Sequence, residues 1–430
     1  MGSFQGLARL RAEAVGGGRR DPVDPEALRV ADAILDDLRQ RGEAALRDHA
    51  ERLGEIGPGE AWFVTKGELE DAARRIPDRD REVLERTAAR IEAFAKAQLA
   101  SLLELEVPVP GGRAGHRVIP VRRAGCYAPG GRFPLPSSVL MTVVPARVAG
   151  VREVVVASPR PGDLTMAAAF LAGADAMIRV GGAQAIGAMA FGMGPLAPCD
   201  LLAGPGNRYV TAAKHRVAGR VGIDMLAGPS ELVVLADETA DPAVVAADLL
   251  AQAEHDPDAL PVVVTVAGPD WLDRLDQAIR QALEDLPTRP VAEAALARGF
   301  AVQAESLEEA CAACDRLAPE HLEVMVSDLP AAAGRLSDFG ALFLGSRAAE
   351  VFGDYGAGPN HVLPTGGTAR FTGGLSVLTF LRVHTWMELD HPEVLVEDTA
   401  RMARMEGLEA HARAAEARRG TGVESSRSGG

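Results

Sequence analysis

The chain has 430 residues, with 45 lysines and arginines against 60 aspartates and glutamates, which gives a formal net charge of −15. An apolar share of 47 % and a charged share of 24 % are typical of a globular protein and exclude bulk disorder. The acidic balance excludes a nucleic-acid partner, which would need a basic face. At the usual size of a domain, the length predicts roughly two to four domains.

The cysteines and the apolar runs indicate where the protein works. The four cysteines Cys126, Cys199, Cys311 and Cys314 are too few to cross-link this chain, so we expect free thiols in a reducing compartment. Residues 1–20 lack the apolar core of a secretory signal, and no apolar run is long enough to span a membrane. We therefore expect a cytoplasmic protein without a membrane partner.

The first quarter of the chain is predicted to be helical. Residues up to about Pro22 are rich in glycine and arginine and are expected to form an arm. From Pro25 to about Leu105, apolar residues recur every three or four positions, which is the period of an amphipathic helix. A turn at Pro110-Gly-Gly-Arg113 ends this block.

From Arg117 onward, short strands alternate with helices. The β-branched runs Val154–Val156, Leu232–Leu235 and Val262–Val264 predict buried strands, and Ala-rich stretches such as Met166–Gly173 predict the helices between them. This alternation predicts parallel α/β sheets.

Capping signals place further elements. Asp241-Pro242 combines an N-cap residue with proline at the first helical position and opens a helix. Ser306-Leu-Glu-Glu309 is a capping box that opens a helix ending before Pro319, and Leu322–Val326 follows as a strand. Beyond about Leu375 the pattern returns to helix, and the last ten residues are expected to form a frayed tail.

Glycine-rich turns are the candidate nucleotide-binding segments. They are Tyr127–Gly131, Gly181–Gln184, Gly204–Asn207 and Gly228–Ser230. Glycine lets backbone N–H groups approach phosphates, although the same sequences also form ordinary turns. Gly192-Met-Gly194 matches part of the dinucleotide fingerprint but follows a helical stretch, so we reject it. Gly204-Pro-Gly206 follows an apolar run but lacks the third small residue, so both interpretations stay open.

Two short patterns have spacings that suit metal binding. Gln252-x-x-His255 places two side chains on one face of the helix predicted to run to about His255, although glutamine is an unusual zinc ligand. Cys311-x-x-Cys314 has zinc-like spacing but no second pair, so buried thiols are the favoured interpretation.

A carboxylate and an imidazole stand side by side at Glu320-His321, between a predicted helix and a predicted strand. Histidine suits general-base chemistry and glutamate can activate water, whereas the alternative is a hydrated pair at a junction. The run Gly353–His361, with Asp354 and His361, is typical of a polar binding loop. Nothing near Cys126 favours its thiolate, so we expect an inert thiol.

Eight motifs in order resemble the histidinol dehydrogenase family from about residue 25 to about residue 415. They are Gly125–Gly131, Pro136–Met141, Gly181–Ile186, Ala203–Asn207, Ala227–Glu231, Gln252–His255, Pro319–Leu322 and Gly353-Asp-Tyr through Asn360–Pro364. The resemblance implies oxidation of L-histidinol to L-histidine through the aldehyde, with two NAD⁺ and one zinc ion per site.

The resemblance also implies a fold and a division into domains. The expected fold is α/β, with two related, incomplete Rossmann-like (doubly wound) domains plus small N- and C-terminal helical segments for dimerisation. The expected divisions are an arm (1–24), a discontinuous first domain (25–118 with 232–350), a second, NAD-binding domain (119–231), a substrate and zinc loop region (351–374) and a helical segment reaching the partner subunit (375–430).

Residue roles follow from the matching motif positions. The implied zinc ligands are Gln252, His255, Asp354 and His411, the last from the partner subunit of a homodimer. The implied catalytic pair is Glu320 and His321, and the implied NAD-contacting residues are Tyr127, Gln184 and Asn207. The implied substrate-contacting residues are Ser230, Gln252, His255, His321, Asp354, His361, Glu406 and His411.

Two segments depart from the commonest family pattern. They are Arg132-Phe-Pro-Leu135 and His384–Asp390, and the first resembles relatives that oxidise other small alcohols such as sulfopropanediol. Glu406 and His411 favour histidinol as the substrate. A zinc-bound, non-catalytic binding protein is an alternative of another class, which the retained Glu320-His321 pair disfavours.

Overall fold

The structure, a computed structural model, describes residues 4–16, 23–130 and 134–420. The expected frayed tail, part of the expected arm and residues 132–133 of the first departing segment lie outside these residues. No helix in the described ranges is long and apolar enough to cross a bilayer.

The described residues form strands, α-helices and three short 3-10 helices. The strands are β1 (Ala8–Arg11), β2 (Phe63–Thr65), β3 (Leu105–Val109), β4 (Gly112–Pro120), β5 (Arg123–Tyr127), β6 (Glu153–Ala157), β7 (Ala176–Ile178), β8 (Leu201–Ala203), β9 (Gly222–Ile223), β10 (Glu231–Ala236), β11 (Leu260–Thr265), β12 (Phe300–Gln303), β13 (His321–Met325), β14 (Ala341–Leu344) and β15 (Leu381–Leu389). The helices are α1 (Pro25–Arg41), α2 (Glu43–Arg52), α3 (Lys66–Arg75), α4 (Asp78–Ala100), α5 (Pro136–Val148), α6 (Asp163–Ala172), α7 (Gly182–Phe191), α8 (Arg208–Val217), α9 (Pro242–Ala253), α10 (Pro269–Glu284), α11 (Arg289–Leu296), α12 (Leu307–Leu317), α13 (Leu329–Ala333), α14 (Glu350–Asp354), α15 (Glu393–Met405) and α16 (Glu409–Glu416). The 3-10 helices are Ala12–Ala14, Thr368–Arg370 and Val377–Phe380.

Sheet I is a parallel sheet in the order β1-β12-β11-β10-β13-β14. Numbered along the chain from β10, its last five strands have the order 3-2-1-4-5, which is the Rossmann order with a switch point between β10 and β13. The register places Leu232 of β10 opposite Pro261 on one side and opposite His321 on the other.

Sheet II repeats this topology in the order β2-β7-β6-β5-β8-β9. Its parallel strands from β5 onward again have the order 3-2-1-4-5, and β2 adds an antiparallel edge strand. The switch point lies between β5 and β8. The prediction of two related Rossmann-like domains is confirmed.

Both faces of sheet I are covered, which explains its continuous apolar runs. Side chains alternate across a strand, so Val263 belongs to one core cluster while Val262 and Val264 belong to the other. Each of these valines is fully buried, which contributes about 1.5–3 kcal/mol per side chain.

Helix α1, within the segment 25–118 of the expected first domain, packs on sheet II. Helix α1 contacts α7 and α8, and its residues Leu35 and Leu38 belong to the core cluster of sheet II. A Cβ at Gly187 of α7 would lie 2.5 Å from Leu38 Cδ1, so glycine is what permits this close approach. Sequence periodicity identified α1 as amphipathic, but periodicity does not say which sheet its apolar face covers.

The chain divides into two compact units, and the second consists of residues 99–120 and 381–430. Its sheet III has the antiparallel order β15-β4-β3, and α15 packs against α16. The expectation of helix throughout 375–430 is wrong for 381–389. These nine residues pair with β4 from Leu381 opposite Pro120 to Leu389 opposite Gly112. A distant partner strand, which local sequence does not reveal, decides their conformation.

Candidate active site

The two catalytic candidates lie at the start of strand β13, with Glu320 immediately before it and His321 as its first residue. Helix α12 is capped by Ser306, whose Oγ accepts from the Glu309 N–H at 3.2 Å, and ends in left-handed Ala318 with φ of 46°. The predicted capping box is half formed, because the Glu309 carboxylate accepts from the Glu305 N–H instead. Pro319 then leads into Glu320 and His321, at the amino edge of sheet I beside Ser230 and the first residue of β10, Glu231.

Glu320 is held by two donors from the neighbouring strand. Its Oε2 accepts from Ser230 Oγ at 2.6 Å and from the Glu231 N–H at 3.0 Å. Burial raises the pKa of the Glu320 carboxyl well above its ordinary value, and the two hydrogen bonds oppose that rise only in part. A carboxyl with a raised pKa suits proton transfer near neutral pH.

His321 presents an unsatisfied nitrogen. Its Nδ1 lies 3.3 Å from the Glu231 carbonyl oxygen, which can only accept, so Nδ1 carries the proton. Its Nε2 is buried and has no hydrogen-bond partner among the residues that the structure describes. Burial lowers the pKa of His321 to about 3, so the ring is neutral at neutral pH. The Nε2 lone pair is therefore available to accept a proton.

Three of the predicted zinc ligands lie close together. Helix α9, capped by Asp241 as predicted, places buried Gln252 in its last turn. The helix ends at Ala253, two residues earlier than expected, so His255 lies beyond it and its side chain is 39 % exposed. His255 Nε2 lies 3.8 Å from Asp354 Oδ2. Burial raises the pKa of Asp354 to about 6.

The structure adds a residue that the sequence reasoning missed. Glu350 begins α14, is buried, and shares a potential metal-binding group with His255 and Asp354, whose ligand atoms lie within 4.8 Å of one another. Behind it lies Glu323, whose pKa burial raises to about 8. A glutamate inside the apolar run Leu322–Val326 is a sequence signal that could have identified Glu323. Glu350 has no comparable local signal.

A cavity of about 380 Å³ opens beside these residues. Its polar wall includes His321, Asp354 and His361, and its apolar wall includes Phe94 and Phe352. His361 Nδ1 lies 3.0 Å from the Asp354 carbonyl oxygen, and burial lowers the pKa of His361 to about 4. The predicted loop residues thus line a pocket large enough for a small polar ligand.

The three NAD-contacting candidates surround the switch point of sheet II. Tyr127 ends β5, and its hydroxyl accepts from the Gly182 N–H at 3.1 Å. Gln184 in α7 is buried and donates to Glu55 Oε2 at 3.1 Å. Asn207 is exposed and caps α8. Its Oδ1 accepts from the N–H groups of Tyr209 and Val210 at 3.0 and 3.2 Å. The Tyr127 and Gln184 side chains are thus already engaged within the protein.

The loop Gly204–Asn207 rests on a buried ion pair. Lys214 Nζ donates to the Gly204 carbonyl oxygen at 3.0 Å, and Asp224 Oδ2 accepts from the Gly204 N–H at 2.7 Å. Lys214 and Asp224 also pair with each other, with side chains 5 % and 0 % exposed. A Cβ at Gly204 would lie 2.1 Å from the Tyr127 carbonyl oxygen, so glycine is required there.

The remaining candidates belong to the second unit. Glu406 follows α15 as its C-cap residue, and His411 lies in α16. Both are exposed. The second departure, His384–Asp390, lies mostly in β15.

None of the four cysteines contributes to this site. Cys126, Cys199, Cys311 and Cys314 are free, as the sequence predicted, and all four are buried, as predicted for Cys311 and Cys314. Burial raises the pKa of the Cys126 thiol to about 12.

Two Rossmann-like sheets beside a buried Glu–His pair define an oxidoreductase of the dinucleotide-dependent class. Comparison with known proteins supplies the particular family. The histidinol dehydrogenase family matches residues 19–419. The chain belongs to the histidinol dehydrogenase family, whose members are NAD-dependent oxidoreductases that convert histidinol to histidine in amino-acid biosynthesis.

Individual relatives agree over nearly the whole chain. Histidinol dehydrogenase of Parasynechococcus marenigrum is 46 % identical over 391 residues, covering 89 % of this chain and 88 % of the relative. That of Halobacterium salinarum is 47 % identical over 394 residues, covering 90 % and 91 %. The crystal structure of histidinol dehydrogenase from Elizabethkingia anophelis superposes with a TM-score of 0.89 at 30 % identity, covering 96 % of this chain and 98 % of that one.

Proposed function

We propose that this chain oxidises L-histidinol to L-histidine through the aldehyde, using two NAD⁺ and one zinc ion per site. The observation that carries the proposal is the His321 Nε2 atom, buried without a partner among the described residues, beside a cavity that His321 shares with Asp354 and His361. A neutral imidazole aimed into such a pocket suits removal of a hydroxyl proton.

The donor set fits zinc. Zinc binds imidazole nitrogen and carboxylate oxygen at about 2.0–2.2 Å, so neighbouring ligand atoms of a tetrahedral ion lie roughly 3.4 Å apart. His255 Nε2 and Asp354 Oδ2 are separated by 3.8 Å, close to that spacing. We assign Gln252, His255 and Asp354 as ligands, with His411 of a second copy as the fourth. Zinc, when bound, supplies a fixed positive charge that anchors the imidazole and amine of the substrate.

His321 serves the alcohol step. Its Nε2 accepts the hydroxyl proton while the alcohol carbon loses a hydride to NAD⁺. The proton stays on Nδ1, which donates to the Glu231 carbonyl oxygen and so fixes the ring orientation throughout. Because burial keeps the His321 ring neutral, its Nε2 can accept a proton as soon as the substrate binds.

Glu320 serves the aldehyde step. Held by Ser230 and the Glu231 N–H, it accepts a proton from the water that adds to the aldehyde carbon. The resulting hydrate loses a second hydride to a second NAD⁺, and the product is the carboxylic acid. A thioester route through Cys126 is disfavoured by the burial of that thiol.

The remaining contacts follow the motif positions. We assign Tyr127, Gln184 and Asn207 to NAD⁺, at the carboxyl edge of sheet II where a dinucleotide is expected in a Rossmann-like sheet. We assign Ser230, His361 and Glu406 to the substrate. The carboxylate of Glu406 suits the ammonium group of histidinol.

We further propose a homodimer with shared active sites that works in the cytoplasm. The second unit exposes large apolar side chains, with Val383 62 %, Met387 65 % and Met405 68 % accessible. Exposed apolar surface of this kind marks interaction sites. The four free thiols favour a reducing compartment.

A stoichiometric assay tests the function. The purified protein is mixed with zinc, NAD⁺ and a limiting amount of L-histidinol, and the NADH formed per histidinol consumed is counted. Two NADH per histidinol, with histidine as product, are expected. Turnover of a sulfonated diol but not of histidinol would point to the sulfopropanediol-type relative, and turnover of neither would point to a non-catalytic binder.

A further inference from the structure

The second strand of sheet II is followed by an arginine and by no acid. In Rossmann sheets an acidic residue after the second strand commonly binds the ribose 2′-hydroxyl of NAD, whereas a nearby arginine accommodates the 2′-phosphate of NADP. In sheet II the corresponding segment is 158–162, between β6 and α6. It contains no acidic residue, and its exposed Arg160 adopts a φ of 47°. This segment alone would therefore favour NADP.

A carboxylate from outside the sheet lies at the same edge. Glu55, in the loop between α2 and β2, is partly buried. Its Oε2 accepts from the Gln184 amide at 3.1 Å. A Cβ at Gly181 would lie 3.0 Å from Glu55 Oε1 and 2.7 Å from Pro159 Cγ. Glu55 therefore lies beside the turns that follow both β6 and β7.

Glu55 is also close to the second side chain that we assign to NAD⁺ in this region. Tyr127 ends β5, and its hydroxyl accepts from the N–H of Gly182, the residue after Gly181, at 3.1 Å. Burial raises the pKa of Tyr127 to about 12, and the negative charge of Glu55 adds to that rise. Tyr127, Gln184 and Glu55 thus form one group at the carboxyl edge of sheet II.

The surroundings of Glu55 favour its ionised form in part. Burial raises the pKa of Glu55, and the Gly181 N–H, the Gln184 amide and the positive charge of Arg160 all oppose that rise. An ionised carboxylate offers about four acceptor positions, so donors within the protein leave capacity for ribose hydroxyls. The same negative charge repels a phosphate group.

We propose that Glu55 binds the adenosine ribose hydroxyls of NAD⁺ and excludes NADP⁺ by repelling its 2′-phosphate. This inference rests on the proposed function, because it takes the carboxyl edge of sheet II to be the dinucleotide site. The selecting acid comes from the loop before β2, and its charge offsets that of Arg160, which would otherwise attract a 2′-phosphate.

The test measures binding of NADH and NADPH directly. Their fluorescence is titrated with the zinc-loaded wild type, E55Q, R160A and the double variant E55Q/R160A, in the absence of substrate. This readout does not depend on turnover. E55Q keeps the size of the side chain and an oxygen that can accept from the Gly181 N–H, but it removes the charge. Thermal unfolding of each variant checks folding.

We expect the wild type to bind NADH at least about tenfold more tightly than NADPH, because like charges repel at the 2′-position. E55Q should weaken NADH binding and strengthen NADPH binding. The ratio of the two dissociation constants should move by roughly tenfold or more, the scale of one hydrogen bond to a charged group. The double variant should lose the gain in NADPH affinity, because Arg160 supplies that gain.

E60Q is the matched control, because it removes the same charge from the same loop while Glu60 pairs with Arg179 at 2.7 Å. Its preference for NADH over NADPH should equal that of the wild type. An equal loss of affinity for both cofactors in E55Q, or an unchanged ratio, would overturn the inference and leave the proposed function in place. Absence of NADH binding by the wild type would refute the proposed dinucleotide site itself, and with it the inference.

Discussion

Ser230 Oγ donates to Glu320 Oε2 at 2.6 Å and thereby links the residue before β10 to the residue before β13. The hydrogen bond crosses the switch point of sheet I, where two strands far apart in sequence lie side by side. It stabilises the ionised form of Glu320 against the burial that raises its pKa.

Replacing Ser230 should therefore change the pH dependence of the aldehyde step. A general base works above its pKa, so activity falls as the pH decreases through that value. S230A removes a hydrogen bond to the ionised carboxylate, which raises the pKa of Glu320 further and moves the acidic limb to higher pH. The measurement is the pH profile of kcat/KM with L-histidinal as substrate. An unmoved limb in S230A would contradict the assignment of Glu320 as the base, and E320Q should abolish the limb.

Replacing His321 separates proton transfer from binding. H321N should lower turnover of L-histidinol by roughly 10²–10⁴, the scale of a lost general base. Zinc content and histidinol affinity should stay nearly unchanged, because the asparagine oxygen can still accept from the substrate hydroxyl and zinc is assigned to other residues. Steady-state kinetics, metal analysis and equilibrium binding check this together. Turnover like that of the wild type would exclude His321 as the base.

The buried ion pair under the Gly204–Asn207 loop should support both stability and cofactor binding. K214M leaves Asp224 buried and unpaired and should cost about 3–5 kcal/mol, because one partner of a buried pair is removed. The KM for NAD⁺ should rise as the Gly204 carbonyl loses its donor. Urea unfolding and steady-state kinetics measure the two effects.

The exposed pair Arg75–Asp163 provides the control for that variant. These side chains are 52 % and 45 % exposed, so R75A should lower stability far less than K214M and leave the KM for NAD⁺ unchanged. Equal losses of stability in K214M and R75A would show that the Lys214 pair has no special role.

Cys126 should be chemically silent. Burial raises the pKa of its thiol to about 12, so thiolate is scarce at neutral pH and alkylating reagents cannot reach it. Iodoacetamide should leave activity intact in the native protein, and peptide mass spectrometry should find Cys126 unmodified until the protein is unfolded. C126S should turn over histidinol at nearly the rate of the wild type. Rapid inactivation with modification confined to Cys126 would argue for a covalent role.

The amino-acid sequence correctly predicted the strands, the helix starts and the Glu320-His321 junction, because these features depend on local patterns of residues. The runs at Val154–Val156 and Val262–Val264 are strands because β-branched apolar residues fill a sheet covered on both faces. The Asp241-Pro242 cap begins α9 because it satisfies free N–H groups at the helix start. The Glu320-His321 junction was visible because a helix stop, a proline and a strand follow one another.

The sequence did not predict the features that depend on contacts between residues far apart in the chain. The 381–389 segment is a strand only because β4 lies beside it, and α1 covers sheet II because Gly187 admits Leu38. Glu350 could not be identified, because its place beside His255 brings together residues far apart in the sequence. Its neighbours in sequence say nothing about that contact.

The two sheets share one strand order but use opposite edges, and this has an electrostatic consequence. The proposed dinucleotide site follows the carboxyl ends of β7 and β8, where α7 and α8 begin, so positive helix ends favour the pyrophosphate. The Glu320-His321 site lies at the amino ends of β10 and β13, where α9 and α12 finish. Negative helix ends there favour a divalent cation and an ammonium group. Using one topology twice, in opposite directions, gives the chain one sheet edge that attracts anions and another that attracts cations.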